Sequence, residues 1–115
     1  MVEVRTYDSW DEAMADINRS IRAADACARP EQISLREGDH FMSVSDGLVI
    51  FGRIIESYED ERLKFFRLVE AFSEACVSGE IGDAHCSQMR PISKDLFEAA
   101  RAAGWQLPEK GGVAA

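Results

Sequence analysis

His85 and Cys86 stand side by side in "GEIGDAHCSQMRPIS", residues 79–93, and an imidazole beside a thiol suggests nucleophilic or metal chemistry. A thiol attacks when a base takes its proton and a third group orients that base. Zinc takes the same side chains in a spaced set, as CxxC or as ligands one helical turn apart. Around His85 and Cys86 the chain reads as extended, so neighbouring side chains project to opposite faces and these two cannot serve each other. The chain's other histidine, His40, leads into a hairpin. It meets Cys86 only if the strands align, and the spacing supplies neither an orienting acid nor oxyanion donors. Cys27, Cys76 and Cys86 include no CxxC pair, so no zinc site and no dithiol motif is expected. The phosphate-loop pattern GxxxxGK and the dinucleotide fingerprint are absent. His85 and Cys86 are therefore read as structural, with no catalytic residue, no metal and no cofactor. The alternative is a small enzyme or ligand-binding protein using His40, His85 or Cys86.

Charge is the chemistry that the chain offers in quantity. Acidic residues number 21 against 13 basic ones, for a formal net charge of -8. That excess opposes direct binding to nucleic acid or to an anionic membrane and suits a basic partner. Two groups of carboxylates are candidate partner-binding residues: Asp11, Glu12 and Asp16 on a first helix, and Glu56, Glu59, Asp60 and Glu61 in the joint "ESYEDER". Their competing role is to solubilise the surface and complement helix N-termini. The longest apolar run, "GLVIFG", falls far short of the ~20 residues of a membrane span. "MVEVRTYDSW" lacks the apolar stretch of a signal peptide, and the odd cysteine number suits free thiols, so a cytoplasmic location is expected.

The elements that must position these groups follow from periodicity. Residues 2–7, "VEVRTY", alternate like a short strand. Ser9 and Glu12 have capping-box spacing, and Trp10, Ala13, Met14, Ile17, Ile21, Ala24 and Ala28 recur at helical spacing until Pro30. Trp10 is expected to anchor that helix in the core. Residues 33–55 turn β-branched and aromatic around Asp46-Gly47, the residue pair of a type I′ hairpin turn. This turn sets Ser45 opposite Leu48, Val44 opposite Val49, Met42 opposite Phe51 and Phe41 opposite Gly52. Met42, Val44, Val49 and Phe51 then form the core face, and the half-apolar opposite face needs a cover. Leu63 to Cys76 is apolar on most sides and predicts a central helix ending at Ser78-Gly79. A short extended segment follows, ending before Pro91. Ser93 caps a last helix with Leu96, Phe97 and Ala100 inward, Gly104 ends it, and Trp105 folds back.

The expected fold is α+β: a small antiparallel sheet, three-stranded and built on the central hairpin, packed against two to three helices. Residues 1–108 form one globular domain and 109–115 a disordered tail. "REGDHF", "DGLVIFGRI" and the ending "ARAAGW" resemble small phage and prophage proteins, a class that includes anti-CRISPR inhibitors. The resemblance carries over no site residue. It implies a non-enzymatic protein-interaction domain, an inhibitor that binds the basic surface of a nucleic-acid-binding host or defence complex.

Overall fold

The computed structural model describes residues 6–108, in an α+β architecture. The order is α1 (Trp10–Cys27), α2 (Pro30–Ile33), β1 (His40–Ser45), β2 (Leu48–Ser57), β3 (Phe66–Ser73), β4 (Cys76–His85), β5 (Arg90–Ile92) and α3 (Lys94–Ala102). Single 3-10 turns occupy Glu61–Leu63 and Cys86–Gln88. The five strands form one antiparallel sheet in the order β4-β3-β2-β1-β5, so the sheet has two strands more than expected. Of the proposed strand at residues 2–7, only Thr6 and Tyr7 lie among the described residues, and they form no strand. The proposed tail at 109–115 lies outside them.

The hairpin holds its expected register, from Ser45 opposite Leu48 to Phe41 opposite Gly52. Asp46 and Gly47 both have positive φ, 51° and 77°, as a type I′ turn requires. Gly52 is glycine for space: a methyl there would stand 2.4 Å from the Phe41 ring. Both sheet faces are covered. Phe41 joins Leu35, Ile54, Val69 and Met89 on one; Phe51 joins Phe97, Ala100 and Trp105, with Met42, Val49 and Phe72 against them, on the other. Val44, expected in the core, is 56% exposed because α3 covers only part of its face.

The expected central helix is instead the β3–β4 hairpin. Phe66, Leu68 and Phe72 alternate with Arg67, Val69, Ala71 and Ser73, and each set faces a different layer. With apolar side chains needed on both faces, the period-2 signal vanished into a greasy run that reads equally as a helix. Gly79 is no helix stop. It lies within β4 at φ 85°, where the pairing shifts from Ser73 with Cys76 to Ala71 with Glu80. The segment expected to be extended to Met89 leaves β4 at His85 and makes the 3-10 turn, and Pro91 sits inside the short edge strand β5.

α3 forms as its caps dictate. The Leu96 N–H donates to Ser93 Oγ at 3.1 Å, Gly104 takes φ 73°, and the Trp105 N–H returns to the Ala100 carbonyl at 2.7 Å. Trp105 thereby lies flat on Phe72, ring centroids 4.3 Å apart.

Candidate protein-interaction surface

α1 starts where the sequence says. Ser9 Oγ accepts from the Glu12 N–H, but the Glu12 carboxylate reaches the Asp8 N–H instead of closing the box on Ser9. The helix has an apolar stripe, yet none of its residues is buried. Trp10 is 77% exposed and Ile17 48%, which overturns the expected core anchor. The physical reason is placement. Among the described residues α1 packs against the rest of the fold chiefly through the 86–88 turn, at its C-terminal end, so no layer among them covers the apolar stripe of its N-terminal half.

That junction is built by His85, which ends β4. The Ser87 backbone N–H donates to His85 Nδ1 at 3.1 Å, so Nε2 carries the ring proton and donates to Asp25 Oδ1 at 2.5 Å. The Ser87 hydroxyl also faces Nδ1, at 2.9 Å. Phe66 lies edge-on to the imidazole at 4.9 Å. From α2, the buried Gln32 amide donates to the Met89 and Ser87 carbonyls at 2.6 and 3.3 Å. Asp25, His85 and Ser87 thus have the composition of a hydrolytic relay. However, the nitrogen that would deprotonate Ser87 is already engaged by a backbone N–H. The Cys86 and Met89 N–H groups are engaged too, by the Phe65 and Cys86 carbonyls, so no pair of free donors faces an oxyanion there. The arrangement is a clamp on α1.

Cys86 is fully buried, and that burial raises its thiol above the usual range; Arg67 and Arg36 pull the other way without reversing it. His40 is not near Cys86. It lies against Phe97 of α3, centroids 4.5 Å apart, on the face opposite the Phe41 cluster. The imidazole–thiol meeting left open by the sequence does not occur. No cluster of three or more His, Cys, Asp or Glu with metal-binding geometry exists among the described residues.

The acidic candidates fall into two groups on different elements. Asp11 and Glu12 open α1 beside Trp10, exposed. Asp16 accepts from the Tyr7 hydroxyl at 2.5 Å and pairs with Arg19 at 3.1 Å, so part of its charge is neutralised locally. Glu56 near the end of β2, and Glu59 and Glu61 in the β2–β3 joint, are exposed and have no ion-pair partner among the described residues. Asp60 serves the local fold: its side chain accepts from the Arg62 N–H at 2.8 Å and pairs with the Arg62 guanidinium, which lowers its pKa.

Sequence reasoning missed two further features. Asp25 was not singled out, because its partner His85 lies 60 residues away and nothing local marks the pair. β4 is an open edge of ten residues with Val77 and Ile81 63% and 68% exposed, whereas the other edge, β5, is three residues long and carries a proline. No helix among the described residues is long and apolar enough to cross a membrane. No family model, no curated protein and no solved structure matches this chain.

Proposed function

We propose that this domain is a non-enzymatic protein-interaction module whose α1 docks on a partner with a basic surface. The observation behind this reading is the N-terminal half of α1: a Trp10 indole 77% exposed, next to the exposed carboxylates of Asp11 and Glu12. An aromatic face with carboxylates beside it is what a guanidinium takes, by stacking and by charge-assisted hydrogen bonds. An 18-residue helix is marginal in water by itself, so an uncovered apolar stripe is a stability deficit that a partner removes. The net charge of -8 and the exposed carboxylates of Glu56, Glu59 and Glu61 favour encounter with a positive surface. Proteins that bind nucleic acid carry such surfaces, and the phage-type style of the sequence directs the search to host and defence complexes.

Immobilised protein is exposed to host lysate at low and high salt, beside two variants: Trp10→Ala with Ile17→Ser, and Glu59→Lys with Asp60→Lys and Glu61→Lys. The expected result is a basic protein retained at low salt, lost from the first variant, and associating several-fold more slowly with the second. Retention that is indifferent to salt and to both variants removes the reading.

A further inference from the structure

Near the start of β3 two guanidinium groups converge on the same backbone oxygens, those at the end of α2 and in the loop after it. Arg67 is only 2% exposed, and its Nε and Nη2 donate to the Leu35 and Ile33 carbonyls, both at 3.0 Å. Arg36 Nη1 donates to those two carbonyls as well, at 3.0 and 2.7 Å. Arg67 Nη1 is taken by the Lys64 and Phe66 carbonyls. Lys64 adds a third cation, its ammonium 4.9 Å from the Phe65 ring centre. None of the three has a carboxylate within ion-pair distance among the described residues, in a chain that carries 21 of them. Directly across the ladder from Arg67 stands Ser57, whose buried hydroxyl has no hydrogen-bond partner among the described residues.

These groups line one cavity of about 320 Å³, with Tyr58, Phe65 and Ile33 completing the wall. Like charges held together by shared carbonyls repel, and a buried unpartnered hydroxyl costs stability. An oxyanion in the cavity answers both. Arg36 keeps its Nε and Nη2 hydrogens for it, Arg67 one Nη2 hydrogen, Lys64 its ammonium and Ser57 its hydroxyl. Three cations favour a dianion with several oxygens over a carboxylate. The volume exceeds that of a bare phosphate, and the Tyr58 and Phe65 rings offer walls to an organic remainder. We propose that the cavity between α2, the end of β2 and the start of β3 binds a phosphate group, free or esterified on a small molecule, through Arg36, Lys64, Arg67 and Ser57.

Inorganic phosphate and adenosine monophosphate are titrated separately into the isotopically labelled protein, against chloride at matched ionic strength, with amide shifts as the readout. Arg67 is left intact, since its buried guanidinium ties together four carbonyls of the cavity wall, those of Ile33, Leu35, Lys64 and Phe66. Saturable shifts confined to residues 33–36, 57–58 and 64–67 are expected. Lys64→Met and Arg36→Met each weaken them about tenfold, the loss of one charge-assisted contact. Equal affinity for the two probes assigns free phosphate, and tighter binding of the nucleotide assigns an esterified one. Shifts no larger than the chloride control for both probes, or saturation unchanged in both folded variants, overturn the site. Either result is independent of whether α1 finds a partner.

Discussion

Cys86 and His40 show how burial decides the chemistry of a side chain. Cys86 is enclosed completely, and desolvation outweighs the pull of Arg67 and Arg36 on its thiolate. With a disulfide reagent at neutral pH, exposed Cys27 is expected to react first, while Cys86 reacts only as the protein unfolds. A single fast thiol that maps to Cys86 contradicts this. His40 has its pKa lowered, first by burial against Phe97, with Lys94 and Arg53 adding and Glu98 and Asp39 opposing. The unfolded chain takes up this proton near the ordinary value of about 6.5, the folded chain only at lower pH. Between the two the unfolded state binds more protons, so this contribution to stability is present above that value and is lost as pH falls. Denaturant midpoints from pH 7.5 to 5 should therefore fall more steeply for the wild type than for His40→Gln. Equal slopes would show that His40 titrates alike in both states. Neither environment was readable from residue type: the sequence puts His85 beside Cys86, but only the fold sends His85 to Asp25 and His40 to Phe97.

At the scale of elements, legibility followed the range of the determining interaction. The β1–β2 turn and both ends of α3 depend on residues within about five positions, and Asp46-Gly47, Ser93 and Gly104-Trp105 declared them. Gly47→Val is expected to cost about 1–3 kcal/mol, since a β-branched residue resists positive φ; equilibrium unfolding in urea measures it, and an unchanged midpoint would contradict the turn. The β3–β4 hairpin was illegible because its strand lies inside a sheet covered on both faces, where the demand for apolar residues erases alternation. The phosphate cavity was illegible for a related reason. Its cations come from the α2–β1 loop, the turn before β3 and β3 itself, and its hydroxyl from β2, groups far apart in the chain that only the fold brings together.

For the whole molecule, the relation of α1 to the sheet matters most. The radius of gyration is 16.1 Å, where a compact chain of this length would have about 13 Å. An 18-residue helix is about 27 Å long, and this one is clamped chiefly at its C-terminal end. Asp25→Ala should release it: amide exchange across residues 10–27 would accelerate while β1–β3 keep their protection. Uniform acceleration everywhere would mean that the clamp holds the fold as a whole, and no change would mean that it holds nothing. The same geometry separates the chain's two indoles, Trp10 in solvent and Trp105 stacked on Phe72. Their emission should resolve into a red component quenched by iodide and a blue component shielded from it. Docking of a partner would dim or shift the first alone, and unfolding would convert the second into the first. The protein thus carries two optical reporters, one for occupancy of its outer helix and one for integrity of its core, with no label attached.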